Sequence, residues 1–477
     1  MNVYSFAVAI KSPSPWYYSR LMLSLNKFIN KLVKGKSDGD GRRPADPIII
    51  PRDGHSISRK QISQNALNVL YTLKDAGFEA YLVGGCVRDL LLGHEPKDFD
   101  VATNALPEQV HSLFRRSRLI GRRFKLVHVR FGRDVIEVAT FRAPPEASSH
   151  VDEQGRIVQD NVYGNLEQDA WRRDFTINAL YYNIRDFSIV DYTGGIQDLN
   201  AGLIRLIGDV ETRYREDPVR MLRALRFVAK LGLKLDDATE AGIFQFASLL
   251  RDIPPARLFD ETLKLYLTGN AAVTHELLCH YGLFDEMYPQ TATLLHQEKD
   301  GYPRTLLMKA LENTDKRIDD DKPVTPAFLF AALLWEPVRQ RAQLLIENGM
   351  ADIPAMQRAS SEVIIEQVQR VAVPKRFSLV TRDIWNLQPR LIKRQGKRAF
   401  RSLLHPKFRA GYDFLALRAE SGEPLTELVE WWTEFQQVAA NQQQKMVDSL
   451  GGEGTATKPR RRRRRRRPAA KNVNKDS

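Results

Sequence analysis

The chain has 477 residues, 43% hydrophobic and 27% charged, enough apolar material for a large core, which excludes global disorder. Its formal net charge is +14, but residues 454–477 carry eleven Lys or Arg against one Asp, a net +10, leaving only +4 on the first 453 residues. The two cysteines, Cys86 and Cys279, have no CxxC or Cys/His spacing, which excludes a disulfide framework or zinc knuckle and fits a reducing compartment.

Residues 1–57 lack sustained periodicity and include KGKSDGDGRRPADP, so a flexible leader is expected. The start has no basic residue before Lys11 and no cleavage site after an apolar core, and no run of 18 apolar residues occurs. A cytoplasmic protein without a membrane span is therefore expected. Ser58 and Gln61 form a capping-box pattern that predicts a helix ending near Gly77. An apolar strand AYLVGG, the segment KDFDVAT, a helix over PEQVHSLFRR and strands FKLVHVRF and DVIEVATF follow. After the loop-like APPEASSHVDEQGRIVQDN, a strand pair is expected around INALYYNI and FSIVDY. Strands mixed with helices make residues 58–208 an α/β (mixed) head.

Beyond Gly208 the apolar spacing is helical, over 217–231, 239–250, 255–267 and 271–281. This predicts an all-α neck over 209–270 and an all-α body over 271–444. Residues 445–477, with consecutive arginines from Arg460 to Arg467, are expected to be an unfolded basic tail. No internal repeat is apparent, and a monomer is expected.

The most informative stretch is LVGGCVRDLLLGHEPKDFDVAT, residues 82–103. Gly84 and Gly85 end a strand and open a helical turn, directing free backbone N–H groups at an anion, with Arg88 one turn on. Asp98 and Asp100, at i and i+2 on an expected strand, would point to one face, where their repulsion invites a hard cation such as Mg²⁺. Alone, a Gly-Gly pair is usually a turn and a DxD pair a solvated edge; together they suggest nucleotidyl transfer.

These residues, with RRDFTINAL at 172–180 and EDPVRMLRALRF at 216–227, resemble the class II nucleotidyltransferases of the polymerase β superfamily, the CCA-adding enzymes and bacterial poly(A) polymerases. LIGRRFKLVHV, VPKRFSLVTRDIW, RQGKRAF, HPKFRAGYDFLALRAE and the arginine-rich end are similar to the poly(A) polymerase I branch. The resemblance implies a polymerase β-type head, two Mg²⁺ ions held by Asp98 and Asp100, and ATP as substrate. It also implies a third carboxylate, for which Asp174 is preferred and Glu137, a charge inside an apolar strand, competes. Arg173 would meet the triphosphate, Asn178 a sugar hydroxyl or only a turn. On a helical wheel Arg220, Arg223 and Arg226 fall opposite Met221, Leu222, Ala224 and Leu225. Asp217 and Arg220 would be a surface ion pair, or, by the resemblance, read the edge of the incoming base, with Arg223 and Arg226 on phosphates or the helix.

Lys393, Arg394, Lys397, Arg398 and Arg401, with Phe400 and Trp385 nearby, mix cations and aromatics as RNA-tracking surfaces do, though a solvated helix face has the same look. The run from Arg460 to Arg467 would add salt-sensitive phosphate affinity, or serve solubility alone. GKS at 35–37 lacks the first glycine of a phosphate loop, and HELLCH spaces its histidines by five, unlike the HExxH zinc pattern. No His-Asp doublet occurs, so no metal phosphohydrolase domain is expected. The expected activity is template-independent addition of AMP from ATP to RNA 3′ ends with release of pyrophosphate, with RNA-decay proteins as possible partners. The alternatives are CCA addition to tRNA and a catalytically dead RNA-binding adaptor.

Overall fold

A computed structural model describes residues 46–121, 125–143, 162–297 and 302–450. The head is built on one mixed eight-stranded sheet, of order β1-β8-β7-β2-β3-β6-β5-β4. Its strands are β1 (Ile48–Ile50), β2 (Ala80–Val83), β3 (Asp100–Thr103), β4 (Ser117–Ile120), β5 (Leu126–Phe131), β6 (Asp134–Thr140), β7 (Leu180–Asn183) and β8 (Ile189–Asp191). Only β3 and β6 run parallel; the other neighbours are antiparallel. Alternation along the strands separates two faces. Leu82, Val101, Val127 and Val138 point into the main core beneath α1 (Gln64–Asp75). On the other face Tyr81, Val83, Ala102 and Tyr181 meet Leu166 and Ala170 of a short helix, Leu166–Trp171.

The expected α/β (mixed) head followed by an all-α remainder is what the chain adopts. Several local expectations are corrected. The leader ends earlier than residue 57, because Ile48–Ile50 pairs with β8 as the sheet's edge strand. Ser58 and Gln61 do form a capping box, but it closes a 3₁₀ turn, and Ser63 caps α1 itself. Asp98 lies before β3. Strand β4 and the helix Leu166–Trp171 escape the sequence pattern, their polar residues masking the periodicity.

The head–neck junction is tighter than a boundary at 208 suggests. Lys234–Leu235 of the neck pairs in parallel with Leu203–Ile204 of the head. The neck contains helices Val210–Glu216, Val219–Leu231, Asp237–Phe246 and Pro255–Tyr266. Pro218 is the N-cap of Val219–Leu231, so Asp217 precedes that helix in an extended conformation. The body is helical from Ala271–His280 to Ala440–Ser449, past the expected limit at 444. A continuous apolar core runs from the sheet through neck and body, and a separate cluster forms in the body around Leu391, Trp432 and Phe435. No helix among the described residues is long and apolar enough to cross a membrane.

Candidate active site

Val83, the last residue of β2, lies opposite Asp100, and Asp100 lies opposite Glu137 on β6. Register partners in adjacent strands point to the same face. Asp100 and Glu137 therefore stand side by side, although they come from strands joined through the intervening α/β excursion. Burial, and next Glu137, push the Asp100 carboxyl up to about 6; Arg173 opposes the rise and Asp98 adds to it. Glu137 also meets His128 of β5, whose Nε2 lies 3.0 Å from its Oε1. Crowded carboxylates of this kind suit a hard cation. Among the described residues no group of three or more His, Cys, Asp or Glu side chains is gathered as a closed metal cage. An open pair fits Mg²⁺, which takes one or two carboxylates and completes its shell with phosphate and water.

The glycine turn is built for close approach. Gly84 has φ +78°, a conformation that side chains with a Cβ disfavour, and a Cβ there would lie 3.6 Å from Nη1 of Arg173. Arg173 itself is aimed by two acceptors. Its Nε and Nη2 donate to Oδ2 of buried Asp169 at 3.2 and 3.0 Å, and its Nε donates to the Tyr181 hydroxyl oxygen at 2.9 Å. The Tyr181 hydroxyl in turn donates to Asp169 at 2.7 Å. Burial alone would lower the Arg173 pKa, but Tyr181 and Asp169 outweigh it, and the guanidinium stays charged. Neither Asp169 nor Tyr181 stands out in the sequence; an acid four residues before an arginine is the only signal there.

Arg88 packs against the glycine turn, where a Cβ on Gly85 would lie 3.5 Å from its Nη2. It is only 2% exposed, its Nε and Nη2 donate to Asp89, and its Nη1 donates to Oδ1 of Asn178 at 2.6 Å. It therefore braces the turn through Asp89 and Asn178. Asn178 is likewise buried and its Nδ2 donates to Asp174 at 3.4 Å, so it links Arg88 to Asp174.

Asp174 and Glu137 occupy different settings. Oδ2 of Asp174 accepts from Arg223 Nε at 2.7 Å, and Oδ1 accepts from the Phe175 N–H at 2.9 Å. Burial would raise this carboxyl, but Arg223 and the Phe175 N–H prevail and hold it at about 2. The side chain preferred from sequence thus ties head to neck, while its competitor Glu137 shares a strand register with Asp100.

In the neck, the expected Asp217–Arg220 ion pair is absent. Oδ2 of Asp217 accepts from Arg257 Nη2 at 2.7 Å, and Arg220, buried, donates to Glu216 Oε2 at 2.9 Å and to the Arg213 carbonyl. The break at Pro218 removes Asp217 from the helical wheel on which the two were neighbours. Arg257, unmarked in sequence, comes from Pro255–Tyr266. Arg226 has no carboxylate within ion-pair distance among the described residues, and burial, then Arg223, lower its pKa, with Arg88 contributing. Arg213 is brought down to about 10 by burial and next by Arg220. Arg213 and Arg220 already share an anion, Oε2 of Glu216, which accepts from both at 2.7 and 2.9 Å.

In the body, Lys397, Arg398 and Arg401 are exposed on the helix Lys397–Leu403. Lys393 is held by Asp352 at 2.5 Å, and Arg394 lies 5.1 Å over the Trp431 ring. Trp385 is fully buried and donates to the Ala331 carbonyl, so it stacks on no base; Phe400 packs on Phe435. Arg460 and Arg467 lie outside the described residues.

Three family models match in chain order. They are described as the poly A polymerase head domain, over residues 80–205, the probable RNA and SrmB-binding site of polymerase A, over 232–295, and the polymerase A arginine-rich C-terminus, over 348–468. The chain is 52% identical over 414 residues to poly(A) polymerase I of Escherichia coli O157:H7, covering 85% of this chain and 89% of that one. It is 49% identical over 413 residues to poly(A) polymerase I of Haemophilus influenzae, covering 85% and 91%. Among solved structures, the Bacillus stearothermophilus CCA-adding enzyme in complex with CTP matches with a TM-score of 0.53 at 27% identity, covering 81% of this chain and 82% of that one.

Proposed function

The chain belongs to the bacterial poly(A) polymerase I family, and from that premise we propose how its residues divide the work of a template-independent polymerase that adds AMP from ATP to RNA 3′ ends. The observation that carries this reading is the row of Asp100 and Glu137 beside the Gly84 turn and Arg173. Gly84, Gly85 and Arg173 seat the triphosphate, with Arg226 as a further cation. Asp98 and Asp100 would hold Mg²⁺, two ions in all, with Glu137 in register beside Asp100 as the third carboxylate, and the bound metal would supply charge neutralisation and a lower pKa for the 3′-hydroxyl. The 3′ oxygen forms a bond to the α-phosphorus as the bond to the bridging oxygen breaks and pyrophosphate leaves. Asp217, oriented by Arg257, offers an acceptor to the adenine amino group, and Arg220 places that segment through Glu216 and the Arg213 carbonyl. Asp174 and Arg223 keep head and neck in register. Exposed Lys397, Arg398 and Arg401, together with the basic tail, track RNA phosphates, in the cytoplasm and alongside RNA-decay proteins.

CCA addition remains the competing chemistry, because its enzymes share the head. The deciding experiment offers ATP and CTP separately to an oligoadenylate and to a tRNA ending before its CCA. A long adenylate ladder from ATP on the oligomer is expected, with negligible CTP use. Addition confined to the tRNA and stopping after CCA overturns the reading, as does label incorporation by an Asp98→Ala/Asp100→Ala double variant.

A further inference from the structure

The sheet row that holds the catalytic carboxylates continues past them. Asp100 on β3 is in register with Glu137 on β6, Glu137 with His128 on β5, and His128 with Arg118 on β4. All four therefore share one face. The opposite face of the same strands, Val127, Val129, Ile136 and Val138, is buried in the core. Arg130, two residues beyond His128, falls on the same face as it, and Arg118 and Arg130 are both exposed. Together with Arg116, Ser117 and Gly132 they line a concavity of about 440 Å³ at the sheet's edge.

These arginines differ from the arginines nearest the glycine turn and the head–neck junction. Arg88, Arg173 and Arg205 are each held by a carboxylate. Arg116, Arg118 and Arg130 have no carboxylate within ion-pair distance among the described residues, and the carboxylate in their own row, Glu137, is engaged by His128. Three strand spacings put the Arg118 backbone roughly 14 Å from that of Asp100.

Sheet order then assigns a direction. The Gly84 turn and Arg173 lie on the β2 side of Asp100, whereas Glu137, His128 and Arg118 extend on the β6 side. In phosphoryl and nucleotidyl transfer the attacking and leaving oxygens are roughly in line across the phosphorus. With the triphosphate seated towards β2, pyrophosphate departs on that side and the attacking 3′ oxygen arrives from β6. The strand behind that oxygen must cross β5 and β4. We infer that Arg116, Arg118 and Arg130 bind the phosphodiester backbone of the RNA just upstream of its 3′-terminal nucleotide, as an acceptor-strand track on the open wing of the catalytic sheet. This rests on the polymerase reading above and adds to it where the primer lies. Pairing of guanidinium with phosphate carries no base preference.

The test uses the full chain with Arg116→Gln, Arg118→Gln and Arg130→Gln combined, beside the corresponding Lys triple variant. The Gln variant is expected to raise KM for oligoadenylate at least tenfold while KM for ATP stays within twofold. Each phosphate that no longer meets a cation should flatten the dependence of log affinity on log salt by about 0.7, so about 2 in all. The Lys variant should recover most of the affinity, which a purely structural role would not produce. Independently of any variant, wild-type protein carrying an oligoadenylate with 4-thiouridine two positions from its 3′ end should crosslink within residues 116–130. An unchanged RNA KM and salt slope, or crosslinks confined to the helical body, overturn the inference. So does a rise in KM for ATP alone, which would assign the arginines to the triphosphate. A wild-type protein that extends no primer would instead sink the polymerase reading itself.

Discussion

Arg223 of the neck helix donates to the carboxylate of Asp174 in the head across 2.7 Å. The same carboxylate accepts from the Phe175 N–H and from Asn178, and Asn178 accepts from Arg88 behind the glycine turn. One buried acid thus joins the helix carrying the basic face to the turn that would seat the triphosphate.

From this follows a stability prediction. The Asp174 carboxyl is held at about 2, below its ordinary value near 4, so it stabilises the fold at neutral pH by about 2 kcal/mol. That contribution is fully present above pH 4 and is lost as pH falls through about 2. Asp174→Asn should lower unfolding free energy by about 2 kcal/mol at pH 7, and the gap from wild type should narrow as pH falls below 4 and close only near pH 2. Urea melts at pH 7 and pH 3 check this; an unchanged wild-type advantage at low pH would contradict it.

The Asp100 carboxyl shifts the other way, up to about 6. Its ionised form costs stability in the metal-free protein at neutral pH, and the cost disappears as pH falls through 6 towards 4. Because Asp100 reaches solvent, screening limits the cost to about 1 kcal/mol. Asp100→Asn should therefore raise the metal-free Tm by about 1 °C at pH 7.5 and by nothing near pH 4. Added Mg²⁺ should stabilise wild type and leave Asp100→Asn unmoved. Thermal scans with and without Mg²⁺ or a chelator decide the matter, and equal Mg²⁺ stabilisation of both proteins would remove Asp100 from the metal site.

Base choice is expected to run through Asp217 and its partner Arg257, 2.7 Å away. Loss of a hydrogen-bonded pair to a base edge costs about 1–3 kcal/mol of discrimination. Asp217→Ala should accordingly reduce the ATP-over-CTP ratio of kcat/KM by roughly 10- to 100-fold. Arg257→Ala should move the ratio in the same direction and by less, since the carboxylate remains. Competition assays with both nucleotides measure the ratio; a ratio unaltered in Asp217→Ala would place base recognition elsewhere.

Much of this molecule is written locally. The step from period-2 to helical spacing near Gly208, the glycine pair closing AYLV and the acids two residues apart depend on neighbours in the chain, so composition and spacing carry them. What stands beside Asp100 is different: the parallel pairing of β3 with β6 brings Glu137 there, and the neck helix takes Asp174 away as a partner for Arg223. Likewise a proline moves Asp217 off its helix and towards Arg257, and burial turns Trp385 from a stacking candidate into a packing group. Local propensity sets which elements form, but long-range register and burial decide which charges meet, and short-range spacing contains neither.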